Sequence, residues 1–485
     1  MRSAYFKELD KLSFEEIKNK LDANDDEIRD LIESLKYNNK KIVKPYLDDG
    51  EECEELEESE RSDKYSFNFV GIIMYKDFII KCYPKYLNDD YSDLEKDDML
   101  KIIVQVLKKY GKSEKGIVGM STENQDKDIN LLSIISFIIT DFVDNGLYSN
   151  QKEIYEVNGE GEIDWDKTVN DTTAFLINKR PVYFDMITRN DINNEIDFFR
   201  QMHKYVITQC SKILKKTGLS NILSLPIVEF EVDEALFSDV EYVLNRIIKE
   251  LNVQFVSRKQ MVLKTLYSYF SNKQEYTNHS NMSLFGTMSF NLVWEKACAF
   301  VLNNQLNNRI DKINGIDKQK LGSWLGKNKL SELIPFPYWI PKNAKDSKEY
   351  KKAKKTIQLD LISIFKRDSK RYFIIWDTKY YNLILNTKDK LKHSPGVEDV
   401  IKQYVYYLVY ADFIKNQNFD YSYNVLLFPS EESDIKVIGK VDFEILREAL
   451  NIEEILVMKM PANLIFDMYL KEEILNIGEK LDFNI

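Results

Sequence analysis

The chain has 485 residues, 44% of them hydrophobic and 13% aromatic, enough for two or three domains with sizeable cores. A net charge of −11 argues against broad electrostatic adhesion to nucleic acid, although a local basic cleft remains compatible with it. Four scattered cysteines (Cys53, Cys82, Cys210, Cys298) and three scattered histidines (His203, His279, His393) follow no metal-ligand spacing, which argues against a zinc site or a Cys–His nucleophile.

The first residues, Met1 to Glu8, lack the apolar stretch of a signal peptide, and no apolar run approaches a membrane span. A cytoplasmic protein with reduced thiols and no membrane contact is expected. Ser13-Phe-Glu-Glu16 reads as a capping box opening a short helix with Ile17 and Leu21 inward. Asp25 or Asp26 caps a second helix, with Ile28, Leu31, Ile32 and Leu35 on one stripe. The pair fits a small winged-helix-like unit or an α-helical hairpin equally well. Its acids Asp22, Asp25, Asp26, Asp30 and Glu33 weigh against direct DNA reading. The acid run from Asp48 to Glu60 reads as a mobile loop or linker, with acidic mimicry of DNA the weaker alternative.

From Tyr65 the pattern turns to β: Phe67, Phe69, Gly71 and Ile73, a turn over 74–77, then Phe78 to Tyr83, closed by Pro84. Helices follow at about 97–111 and about 130–146, the second ending at Asn145-Gly146. Glycines between Val157 and Thr168 mark turns and lack the spacing of a phosphate loop. Segments 190–217, 232–252 and 256–275 read as helices, and 274–281 as a linker. The C-terminal part runs helix (about 287–306), proline-containing loop, two strands, helix (about 397–415) and strand (421–428). The expected architecture is therefore an α+β N-terminal region of helices and β-hairpins followed by a C-terminal α/β domain. Its parts are a helical segment with acidic linker (1–60), a middle region (61–280) and the α/β domain (281–485).

The chemistry concentrates in that last part. Two apolar runs, Ile357 to Phe365 and Tyr372 to Lys379, flank a polar turn, and each carries an aspartate where strands disfavour it. Strand alternation puts Asp377 and Lys379 on one face, and a hairpin brings Asp360 beside them. Two carboxylates and an ammonium at one point suit Mg²⁺ (or Mn²⁺) and phosphodiester hydrolysis, with the Thr378 carbonyl a further ligand candidate. Taken alone, each residue has a plainer reading. A strand-end hydrogen bond explains one aspartate, and an edge position explains Lys379. Glu295, on the apolar helix around Phe290 to Phe300, suits a structural ion pair. Gln403 and Tyr407, one turn apart on the 397–415 helix, suit surface packing. Lys342, Lys345, Lys348, Lys351, Lys352, Lys354 and Lys355 lead into the Asp360 strand. They are a solvated loop or, through Lys351, Lys352, Lys354 and Lys355, a DNA contact.

Together, Glu295, Asp360, Asp377-x-Lys379 and Gln403-x-x-x-Tyr407 resemble the PD-(D/E)xK nuclease core, apart from Leu359 where a proline often precedes the first aspartate. Over roughly 65–430 the chain also resembles the LlaJI-type restriction endonucleases, relatives of the McrC nuclease subunit. The resemblance is carried by Phe69-Val-Gly-Ile-Ile73, Cys82-Tyr-Pro-Lys-Tyr86, Ile163-Asp-Trp-Asp-Lys-Thr168, Arg180-Pro-Val-Tyr183 and Phe285 to Glu295. It implies a Mg²⁺-dependent DNA endonuclease with Glu295, Asp360, Asp377 and Lys379 catalytic. Glu295 would complete or orient the metal shell, and Gln403 and Tyr407 would support the site or touch the DNA backbone. It also implies a McrB-like AAA+ GTPase partner engaged through the 61–280 region, with GTP bound on that partner and no nucleotide site in this chain. Double-strand cutting would need a second copy of this chain as a further partner, or sequential nicking. The rival reading is a non-catalytic assembly subunit that stimulates a partner NTPase. A transcription regulator would need a basic recognition helix, which the sequence does not offer, and the core by itself does not separate DNA from RNA.

Overall fold

The computed structural model describes residues 1–37, 42–46, 64–88, 90–113, 131–149, 151–193, 197–275, 282–322, 324 and 329–480. The acid run 48–60 and most of the 274–281 linker lie outside these residues. The chain forms two compact units. One is Met1, Tyr75–Asp77 and Thr122–Ser283, and the other is Arg2–Met74, Phe78–Ser121 and Leu284–Ile485. This differs from the three-part division drawn from sequence, and strand pairing is the reason. Strands β1 (Arg2–Lys7), β2 (Val70–Tyr75), β3 (Phe78–Tyr83) and β4 (Met282–Thr287) form one sheet in the order β1-β3-β2-β4. The start of the chain is thereby tied to the strand that leads into its C-terminal α/β part. The register of β1 on β3 is parallel, from Arg2↔Phe78 to Lys7↔Tyr83. Gly71 of β2 sits at φ +142°, and a Cβ there would meet the Phe285 carbonyl oxygen of β4 at 2.1 Å, so only glycine fits this approach.

The helix Phe14–Leu21 opens on the expected capping box between Ser13 and Glu16. The next helix, Asp25–Tyr37, is capped one residue earlier than expected: the Glu27 N–H donates to Asn24 Oδ1, and the Asn24 N–H donates to Glu27 Oε2. Leu12–Ser13, Lys64–Phe67 and Val43–Tyr46 add a small antiparallel sheet to this pair, which a bare helical hairpin lacks. Helix Asp93–Ser113 starts earlier than its apolar period suggests, because Ser92 and Glu95 form another capping box.

The second half of this unit holds helix α1 (Phe290–Val301), the antiparallel hairpin β5 (Leu361–Arg367) and β6 (Lys370–Thr378), helix α2 (Val397–Gln417), then β7 (Tyr421–Ser430), β8 (Lys436–Val441), β9 (Ile455–Pro461) and helix α3 (Ala462–Lys471). The sheet order is β5-β6-β7-β9-β8, with β6, β7 and β9 parallel to one another. The hairpin turns on Asp368 and Ser369 alone, both at positive φ, as a two-residue turn compatible with strand twist requires. That is tighter than the six-residue turn expected. Ile362, Ile364, Phe373 and Ile375 pack beneath Tyr406, Tyr410 and Phe413 of α2, which fixes the helix across the sheet.

The other unit contains helices Leu131–Asn145, Phe198–Thr217, Val240–Val253 and Ser257–Glu275. The expected 190–217 helix starts only at Phe198, capped by Asp197, because Ile187–Asn193 pairs with Gln151–Val157 as a strand. The Ile163–Thr168 motif opens helix Trp165–Asp171: the Lys167 N–H donates to the Asp164 cap, and the buried Thr168 hydroxyl accepts from the Ile187 N–H. Among the described residues no helix is long and apolar enough to cross a membrane.

Candidate functional site

The hairpin register decides the geometry. Leu361 pairs with Trp376, so the next step of the ladder sets Asp360 opposite Asp377. Asp360 is fastened by the strand it faces: the Thr378 N–H and hydroxyl both donate to its Oδ2, at 2.8 and 2.9 Å. The Asp360 backbone is fastened from outside the sheet. The Asn304 amide, just past α1, donates to the Asp360 carbonyl at 3.0 Å and accepts from the Ile362 N–H at 3.2 Å. Gln305 receives the Ile364 N–H at 2.9 Å, so these two amides complete the free edge of β5. The Tyr406 hydroxyl donates to the Gln358 carbonyl at 2.6 Å and holds the approach to Asp360. One Asp360 oxygen is thus saturated, and Oδ1 lies outside this bond pair.

Asp377 is 2% exposed, and its Oδ2 lies 2.9 Å from Lys379 Nζ without the alignment of a good hydrogen bond. Lys379, 12% exposed, also donates to Asp399 Oδ1 at 2.7 Å from the first turn of α2. Burial works against the Lys379 charge, but Asp377 and Asp399 more than offset it and raise its pKa. The group stays an ammonium. Glu295 projects from α1, whose apolar stripe of Phe290, Val293, Trp294, Ala297, Cys298 and Val301 is buried and leaves Glu295 half-buried beside it. Burial, then the charges of Asp360 and Asp377, push the Glu295 carboxyl up to about 7. Burial, then Asp360, push Asp377 up to about 6, with Lys379 and Lys402 pulling it back. Three carboxylates therefore share one field at the end of the hairpin.

The structure brings together Glu295, Asp360, Asp377 and Lys379, with Thr378 between the last two. It does not bring in Gln403 and Tyr407. Gln403 is fully buried, donating to the Val425 carbonyl at 3.2 Å, and Tyr407 shares a 2.6 Å hydrogen bond with Ser422 and packs on the core. Both face β7 because the inner side of α2 covers the sheet; Gln403 is enclosed there, and Tyr407 is partly buried with its hydroxyl engaged by Ser422. The neighbouring stripe Asp399, Lys402 and Tyr406, at helical spacing, fronts the carboxylates instead. The i, i+3, i+7 spacing was the available signal for these three. Lys351 and Lys352 form a short strand against Tyr338–Trp339, with Lys352 Nζ 3.9 Å from the centre of the Phe336 ring. All four lysines of 351–355 are exposed. Lys355, Gln358, Lys402 and Tyr406 line an open groove of about 580 Å³ beside the site.

Among the described residues no three His, Cys, Asp or Glu side chains stand close enough to form a ready-made metal cage. Mg²⁺ rarely uses one: it commonly takes one or two carboxylates and completes its shell with water and substrate phosphate. The pair Asp360 and Asp377 suits that demand, since burial and then the neighbouring Asp360 charge raise the Asp377 pKa and Asp377 Oδ2 lacks an aligned donor.

A model of the LlaJI restriction endonuclease family matches residues 69–321 and 326–468. The chain belongs to the LlaJI restriction endonuclease family. This family member is 29% identical over 426 residues to the type II restriction enzyme BsuMI component YdjA of Bacillus subtilis (strain 168), spanning 86% of this chain and 83% of that protein. A chain from the Thermococcus gammatolerans assembly of McrB AAA+ hexamers with bound McrC overlaps 97% of this chain and 99% of its own length, at 12% identity and a TM-score of 0.38. The McrBC complex of the same organism gives a TM-score of 0.27 at 11% identity, over 63% of this chain and 88% of that one. Superpositions at those scores establish no common fold.

Proposed function

We propose that this restriction endonuclease family member is a DNA-cutting subunit that hydrolyses phosphodiester bonds with Mg²⁺ (or Mn²⁺) through a PD-(D/E)xK-type core. The observation that carries the reading is the convergence of Glu295, Asp360, Asp377 and Lys379 at the open end of the β5–β6 hairpin, between α1 and α2. Asp360 and Asp377 are the metal-binding carboxylates, with the Thr378 carbonyl as a further ligand. The bound ion would polarise the phosphate and lower the pKa of the attacking water. Lys379, kept charged by its acidic neighbours, stabilises negative charge at the reacting phosphate and does not serve as a base. Glu295, whose pKa stands near neutrality, accepts a proton from water and orients the metal shell. Lys355 and Lys402, both lining the groove beside the site, neutralise phosphates of the strand being cut.

The proposal includes a McrB-like AAA+ GTPase as partner, engaged through the 61–280 region and carrying the GTP. The kinship of LlaJI-type enzymes with McrC supports it, as does the lack of a G-x-x-x-x-G-K-[ST] run in this sequence. A second copy of the chain would supply the cut in the other strand. The test is cleavage of supercoiled plasmid by the chain assembled with its partner, in Mg²⁺ and in chelator. Asp377→Ala is expected to abolish cleavage while leaving stimulation of the partner's GTPase intact. Cleavage by the Asp377→Ala complex at the wild-type rate would falsify the nuclease assignment and favour a regulatory subunit.

A further inference from the structure

Beyond helping to keep Lys379 charged, Asp399 has no role of its own in the reading above. Asp399 is the third residue of α2, and its backbone N–H donates to the Gly396 carbonyl at 3.1 Å, so its place is set by the helix start. Its carboxylate is 28% exposed and reaches Lys379 Nζ at 2.7 Å, slightly closer than Asp377 does at 2.9 Å. The lysine is thus held between one carboxylate on its own strand and one on the facing helix. A lysine ammonium is a compact charge on a four-carbon stem, and without a second anchor it follows the nearest anion. Here that anion is Asp377, the buried carboxylate expected to give its oxygens to the metal. A metal ion bound by Asp377 would have to compete with the ammonium for Oδ2.

We propose that Asp399 is a positioning residue: it anchors the Lys379 ammonium from α2 so that Asp377 can turn to a divalent cation while the lysine stays at the site. This rests on the nuclease reading of Asp377 and Lys379. Outer partners that orient metal-site groups typically matter by about 10- to 100-fold in metal affinity or activity. Asp399 differs from such partners in acting through a competitor of the metal, not through a ligand.

The experiment is a double-mutant cycle read two ways: Mn²⁺ binding to the full-length chain by electron paramagnetic resonance, without DNA, and single-turnover plasmid cleavage by the assembled complex at saturating Mn²⁺. Asp399→Asn is expected to weaken Mn²⁺ binding by about tenfold and to slow cleavage at saturating metal by at least as much. Asp399→Glu should recover most of both, and Asp399→Ser, a second replacement of different size, should reproduce the Asn result. In a Lys379→Met background the Asp399→Asn change should alter Mn²⁺ binding little, because the competitor is gone. An equal loss of Mn²⁺ affinity from Asp399→Asn with and without Lys379, or no loss in either background, overturns the proposal. The Mn²⁺ arm remains decisive if the complex cuts no DNA, so failure of the positioning role and failure of the nuclease reading are distinguishable.

Discussion

Two polar clusters in the same unit teach opposite lessons. On the first sheet, Lys81 Nζ lies 2.7 Å from Asp97 Oδ1, and the Tyr5 hydroxyl donates to the same oxygen at 2.5 Å while lying 3.1 Å from the ammonium. One cation meets one anion, and a hydroxyl joins both. At the hairpin end, Asp377 and Asp399 hold Lys379, while the charges of Asp360, Asp377, Lys402 and Lys379 all act on Glu295. The first cluster is balanced and satisfied, as buried charge must be when its purpose is the fold. The second keeps an excess of carboxylate that folding alone does not require. In the function proposed above, that surplus serves a cation that arrives from outside.

This contrast is sharpened by changes that remove charge from each cluster. The largest effect is expected from Asp377→Asn, which should eliminate cleavage and yet raise the melting temperature of the metal-free chain, because it removes a buried carboxylate held against its neighbours. Lys81→Met should do the reverse: a loss of about 3 kcal/mol in stability by urea unfolding, because Asp97 is left without its counter-charge, and unchanged cleavage per folded molecule.

Glu295→Gln should have a smaller effect whose size depends on pH. The folded-state pKa values of Glu295 (about 7) and Asp377 (about 6) lie above the ordinary 4.5 and 3.8. The folded chain therefore holds protons that the unfolded chain has already released. The stability this contributes is fully present below pH 4 and is lost as pH rises through 6 to 7. Glu295→Gln should accordingly raise the metal-free melting temperature by about 1–3 °C at pH 8 and leave it unchanged at pH 4, measured by calorimetry. Wild-type cleavage should fall as pH drops through the same interval, because the carboxylates that bind metal become protonated. The smallest effect is expected from Lys402→Ala. In a cleavage-dead background it should weaken binding of duplex DNA and reduce the salt slope by about one. An unchanged slope would remove Lys402 from the DNA contact.

The hairpin was legible in the sequence because its signals are local. Alternation of Tyr372 to Lys379 fixes which residues share a face, and the apolar runs fix where the strands lie. The capping box at Ser13 and the C-cap at Gly146 were legible for the same reason. What the sequence did not disclose depends on which side of an element meets the sheet. Gln403 and Tyr407 lie on α2 at a suitable spacing, but the packing of Tyr406, Tyr410 and Phe413 on the hairpin turns Gln403 and Tyr407 toward β7 and leaves Asp399 and Lys402 at the site. Asn304 and Gln305 were equally invisible, because their value comes from bonding the edge of β5 some 56 to 59 residues later in the chain. Strand Met282–Thr287, and with it the joining of the first residues to the C-terminal α/β part, is a long-range pairing for which the local pattern has no signal.

The most direct test of the surplus-charge reading is Mn²⁺ titration of the metal-free, full-length chain followed by electron paramagnetic resonance, comparing wild type with Asp377→Asn and Lys81→Met. Wild type and Lys81→Met are expected to bind Mn²⁺ alike, and Asp377→Asn to lose that site. Identical binding by the wild type and Asp377→Asn would contradict the assignment of the hairpin end as the cation site.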